Sequence, residues 1–201
     1  TEDARFYEHM GIDEWAVARV FIKTIFMANH SSGGGSTLSQ QIAKNIFGRD
    51  NWGPLTLPVS KIRESIVAYR LEKLYSKNEI LTLYLNTVPF GENTFGIGTA
   101  AERYFSTTPS RLTVTQAATL VGLLKANNAY NPRLYPDRSL QRRNTVIRQM
   151  QKYGHLSDTE ANKYCQQPLG LKYNYLVYNT GPAPYFREML RPQLEKWCSE
   201  N

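Results

Sequence analysis

Residues 33–45 read GGGSTLSQQIAKN, and the reading of this stretch decides the architecture around it. A run of glycines gives way at once to a strong helix start. Thr37 is suited to accept the N-cap hydrogen bond, and Gln40, three residues on, completes a capping box. At 100° per residue, Thr37, Gln40, Gln41 and Lys44 fall on one side of the helix, and Leu38, Ile42 and Ile46 on another. A solvated face ordinarily mixes Glu with Lys, whereas this polar stripe holds no acid. It is therefore expected to offer amide and ammonium donors to an anionic, oxygen-rich ligand, a plain solvated face being the alternative.

The composition agrees with such a ligand. The 201 residues, 41% of them hydrophobic and without repeats, suffice for a proper core. Lys and Arg outnumber Asp and Glu by 24 to 17, giving a formal charge of +7. That balance favours nucleic acid, phospholipid headgroups or a phosphorylated substrate. No apolar run is long enough to span a membrane, and no stretch of these residues is expected to act as a signal peptide. The opening TEDARFYEH already reads as structured chain, so a piece of a longer protein is expected. Cys165 and Cys198 form no metal-ligand motif, and a disulfide between them is the lesser expectation. His9, His30 and His155 are too scattered to suggest a ligand set.

In residues 1–12, Glu2, Phe6 and His9 share helical spacing before Gly11 interrupts it. Residues 14–29 form an apolar helix with Arg19 and Lys23 on one face, suited either to the core or to a membrane interface. SSGGGS then links it to the opening stretch. Gly48, Gly53, Pro54 and Pro58 exclude regular helix over 48–59. From 60 to 76 a helix resumes, with Ile62, Ile66 and Tyr69 as one apolar ridge and Val67, Leu71 and Leu74 as a second. Glu64 sits at the edge of the second ridge, three residues after Lys61. A carboxylate there is partly desolvated, which is costly unless it is paired or used; the alternative is a weak surface ion pair. Further helices are expected over 77–86, 113–125, 137–153 and 157–165, with a short one after GENTFGIG. LKYNYLVYN (171–179) alternates as a strand does. An amphipathic helix containing Pro192 ends the chain, and a boundary is expected near residue 168. The fold class is mainly α.

The pair Glu2 and Asp3, the stripe Gln40, Gln41 and Lys44, and the pair Lys61 and Glu64 make one chemical constellation. Two carboxylates from separate helices, flanked by cations, suit glycosyl or phosphoryl chemistry. GGGST lacks the lysine of a phosphate-binding loop, and neither a GxSxG elbow nor HExxH occurs.

The order EDARFYEHMGID, GGSTLSQQIAKN, KIRESIVAYRLE, KNEILTLYLNTVPFG…GIGTAAERYF and LTVTQAATLVGLLKANNAYNP resembles the five motifs of peptidoglycan glycosyltransferases. These are the glycosyltransferase domains of class A penicillin-binding proteins and their monofunctional relatives. The resemblance runs through residues 1–168. RRNTVIRQM (142–150) and the tail over 169–201 look like the start of the connector toward a transpeptidase domain that this chain lacks. It implies a lysozyme-like, mainly α fold and the polymerisation of lipid II into glycan strands with inversion and release of undecaprenyl pyrophosphate. It also implies action at a membrane surface, on the extracytoplasmic (periplasmic) side, with lipid II and the growing strand as partners and no nucleic acid. By motif position, Glu2 is the general base and Asp3 its neighbour. Ser36, Thr37, Gln41, Lys44 and Asn45 are the second-motif residues, with Lys44 on the pyrophosphate. Lys61 and Glu64 are the third-motif pair, Glu64 assisting the leaving group directly or through a divalent cation (Mg or Mn). Many relatives carry two arginines where this chain has Thr56 and Ser60; Arg49, from the 48–58 loop, is expected to supply a missing cation. The rival readings are a lysozyme-like hydrolase or lytic transglycosylase, which leaves Lys44 and Lys61 idle, and a basic binding module, for which no motif is present.

Overall fold

The structure, a computed structural model, describes residues 2–14, 35–49, 51, 53–175 and 184–200. The described residues form helices α1 (Leu38–Phe47), α2 (Thr56–Leu74), α3 (Lys77–Thr87), α4 (Ile97–Phe105), α5 (Val114–Leu123), α6 (Pro136–Lys152), α7 (Asp158–Gln166) and α8 (Pro184–Glu200). They contain no strand, only an isolated bridge between Pro89 and Phe95. The mainly α class expected from the sequence is what they adopt.

Helix starts follow local chemistry. Thr37, Ser76, Thr113 and Ser157 each cap a helix, with Gln40, Glu79, Gln116 and Glu160 returning the bond to the cap backbone. The main core gathers Phe6, Leu38 and Ile42 with Ile80, Tyr84, Phe90, Tyr104, Leu120 and Leu123. A second cluster joins α5, α6 and α7 through Ala118, Val146, Ile147 and Ala161.

α2 is built the other way round. Its buried residues are Ser60, Glu64, Ala68 and Glu72, one side of the helix at i, i+4, i+8 and i+12. The ridge Ile62–Ile66–Tyr69, expected to pack, faces outward, with Ile62 63% exposed and Ile66 51%, and Leu74 of the second ridge is exposed as well. The reason lies in what α2 meets. Its inner side lies against Ser39 and Gln40 of α1: Ser39 Oγ donates to Glu72 at 2.7 Å and Gln40 Nε2 to Ser65 Oγ at 3.0 Å. Gly11 also packs on its backbone. With φ at +87°, a Cβ there would sit 2.8 Å from the carbonyl carbon of Ala68, so only glycine fits.

Other expectations change. Residues 4–8 form turns rather than a helix, held by Arg5 pairing with Asp13 and His9 with Asp3. α2 begins at Thr56, earlier than expected, because Pro58 sits in the first turn, where its missing N–H is not needed. Of residues 171–175, Leu171 and Tyr173 lie against the core with Lys172 outward, but Tyr175 is exposed, so the strand-like alternation ends at 173. Their partner is not a strand: the amides of Lys172 and Asn174 bond the carbonyls of Tyr104 and Arg103 at the end of α4. The helix expected over 14–29 lies outside the described residues beyond Glu14, as does the SSGGGS link up to residue 34 and the alternating stretch beyond 175.

Candidate active site

The site begins with the hook over residues 2–13. The Asp3 side chain is buried, and its Oδ2 accepts the Leu38 amide at the first turn of α1, 3.1 Å away. Both its oxygens also meet His9 Nε2, at 3.0 and 3.1 Å. Thr37, 2% exposed, caps α1 and donates its hydroxyl to the Gly11 carbonyl at 2.6 Å. Gln40 is buried inside the capping box. These residues therefore support α1 from behind; of the polar stripe, Gln41 and Lys44 face the cleft.

That cleft holds about 590 Å³ between α1, the 88–95 turn and the 124–129 loop. Gln41, Lys44 and Asn45 form one wall, and Lys125 and Asn127 contribute to the opposite one. Asn127 Nδ2 donates to the Pro89 carbonyl at 2.8 Å and ties the turn to the loop. Glu92 and Asn93, with φ of 50° and 54°, give the turn its left-handed bend. Glu92 is anchored by Asn131 and Arg133 at 2.8 and 2.9 Å and by the Tyr173 hydroxyl. Burial works to raise its pKa, but these hydrogen bonds and the Arg133 charge outweigh it and hold the carboxyl below its usual range.

Glu2 stands beside Arg142, 3.6 Å from its guanidinium, with both side chains largely buried. Its charge also acts on Tyr84, whose phenol is pushed up, first by burial and then by Glu2. Tyr84 thus stays protonated and donates to Gln41 Oε1 at 3.1 Å, orienting that amide.

A second cluster lies between α1 and α2. Glu64, 5% exposed at its side chain, takes Arg49 on Oε1 at 2.9 Å and Lys61 on Oε2 at 2.5 Å. Lys61 Nζ also donates to Ser36 Oγ at 2.8 Å. These four residues come together, but they do not line the cleft with Gln41, Lys44 and Asn45. Arg63 points elsewhere, donating to the Phe47 carbonyl at the end of α1 at 2.8 Å and lying over the Phe47 ring.

Sequence reasoning singled out neither Tyr84, Lys125, Asn127 nor Arg142. The one available signal was the cluster LLKANNAYNP, polar groups massed where an apolar helix stops.

The described site thus sets one carboxylate near a cation-bearing cleft and a second between two cations. The family described as Transglycosylase matches residues 1–151. Penicillin-binding protein 1A of Escherichia coli is 36% identical over 96% of this chain and 22% of its own length. Penicillin-binding protein 1A/1B of Bacillus subtilis is 44% identical over 81% of this chain and 17% of its own. A crystal structure of penicillin-binding protein 1A from Haemophilus influenzae, 32% identical, aligns with 61% of this chain and 18% of that one at a TM-score of 0.49. The chain belongs to the transglycosylase family, and it spans about a fifth of the length of these curated relatives.

Proposed function

We propose that this chain polymerises lipid II into glycan strands, with Glu2 as the general base. The observation that carries the reading is the setting of Glu2, beside Arg142 and near the Tyr84–Gln41 pair that leads into the cation-bearing cleft. Glu2 takes the proton from the acceptor sugar hydroxyl, which attacks the anomeric carbon of the donor with inversion. Gln41 and Asn45 hold the glycan, and Lys44 meets the pyrophosphate. Asp3 and Thr37 act through α1, whose N-terminus they fix.

The departing pyrophosphate gains charge as the glycosidic bond breaks, and preorganised cations stabilise it best. Glu64 holds two such cations in advance, Lys61 and Arg49. Arg49 thereby stands in for the arginines that relatives carry at the positions of Thr56 and Ser60. Both oxygens of Glu64 are taken up by Arg49 and Lys61, so a divalent cation (Mg or Mn) on the pyrophosphate would have to displace one of them to reach this carboxylate.

The same reading sets the chain at the extracytoplasmic membrane surface, with a transpeptidase domain in the longer protein. Leu55, Val59, Ile62 and Ile66 form an outward apolar stripe suited to that surface, although no described helix is long and apolar enough to cross a membrane. The test is Glu2→Gln. Lipid II turnover is expected to fall about 10²–10⁴-fold with the melting temperature unchanged; a variant within threefold of the parent removes Glu2 from the role.

A further inference from the structure

A second cleft, of about 470 Å³, opens on the other side of the 124–130 loop. One wall is a face of α6, where Arg138, Gln141, Arg142 and Thr145 recur at i, i+3, i+4 and i+7. Lys125 and Tyr130 close the other side, and Lys125 and Ala129 line both clefts. Three cations and no acid line this space.

A solvated basic face would look different. Arg142 is only 11% exposed at its side chain, and its Nε is buried with no hydrogen-bond partner. Its stem is drawn inward because residue 122 is glycine: a Cβ there would meet Arg142 Cγ at 3.2 Å. The guanidinium thus has one amino group near Glu2 and a donor left over. A buried donor without a partner is a costly arrangement unless something accepts from it.

The geometry points to a second anion subsite, in which Arg138, Arg142 and Lys125 bind a carboxylate or diphosphate group of the glycan substrate while Glu2 works beside it. This rests on the glycosyl-transfer reading and extends it. Polymerisation brings together two lipid-linked chains, each with a diphosphate and a peptide stem bearing carboxylates, so Lys44 and its neighbours cannot hold every anion present. An anion in the second cleft also shares Arg142 with Glu2, so its occupancy is felt at the base.

Arg138→Glu is the test, since Arg138 is exposed and an acid in the first turn of α6 suits the helix dipole. With pentapeptide-bearing lipid II, kcat/KM is expected to fall about tenfold or more, mainly through KM, and Arg138→Lys should restore most of it. A lipid-linked disaccharide without a stem separates the sources. An unchanged rate on it assigns the cleft to a stem carboxylate, and an equal fall assigns it to the diphosphate. If Arg138→Glu and Thr145→Asp both stay within twofold of the parent on both substrates, the subsite is overturned. Should the parent chain make no strands at all, the glycosyl-transfer reading fails on its own account. The cleft is then decided by NMR titration with soluble disaccharide-pentapeptide and with inorganic pyrophosphate. Shifts at Arg142 and Lys125 that Arg138→Glu abolishes uphold it, and their absence overturns it.

Discussion

Helices α2 and α5 follow opposite rules. α5 buries Ala118, Leu120 and Leu123, the ordinary way for a helix to contribute to a core. α2 buries Ser60, Glu64, Ala68 and Glu72 and leaves Ile62 and Ile66 outside. Burying a carboxylate is unfavourable unless it is paired and hydrogen-bonded, and on α2 both acids are. Glu64 holds Arg49 and Lys61, and Glu72 takes Lys77 at 2.7 Å and the Ser39 hydroxyl. Local rules are most often broken where function requires it, and α2 is the helix that carries the third-motif pair.

Two substitutions sharpen this contrast. Glu64→Gln should cut lipid II turnover by about a hundredfold or more, because Lys61 and Arg49 lose the group that orients them. Leu123→Ala, from the fully buried end of α5, should instead cost about 2–5 kcal/mol of stability and leave the kcat of the folded fraction near the parent value. Thermal melts and initial rates on both variants separate the outcomes. Equal losses of rate per folded molecule would erase the distinction between the helices.

Next in size is the pair of arginines near the end of α1. Arg49→Ala should lower turnover by about ten- to a hundredfold, in line with the loss of one charge-assisted contact. Arg63→Ala removes a bond to the Phe47 carbonyl and a ring contact away from the cleft and should act through stability. If Arg63→Ala proves more damaging to polymerisation at unchanged melting temperature, Arg49 loses its role.

The smallest effect on the fold is expected outside. Ile62→Ser with Ile66→Ser should change stability by no more than about 0.5 kcal/mol, as exposed positions do, yet reduce co-sedimentation with anionic lipid vesicles severalfold. Undiminished binding would remove this stripe from the membrane surface.

Much of this arrangement was legible in the sequence, for reasons that differ from place to place. The caps at Thr37, Ser76, Thr113 and Ser157 depend on residues three apart, so local pattern suffices. The inverted side of α2 was not legible. Periodicity tells which residues share a face but not which face turns inward, and here Ser39 and Gln40 of α1 decided it. Long-range contacts were equally hidden: the bond from Leu38 to Asp3 and the approach of Arg142 to Glu2 join segments far apart in the chain. Over 171–173 the burial alternates as read, but Tyr175 turns outward, and the segment pairs with the end of a helix instead of a strand.

The most direct test of the account is the product that the parent chain makes. Incubated with lipid II, it is expected to yield glycan strands and free undecaprenyl pyrophosphate, and to leave finished strands intact. Cleavage of finished strands, with no polymer formed from lipid II, would contradict the account and make the domain a hydrolase.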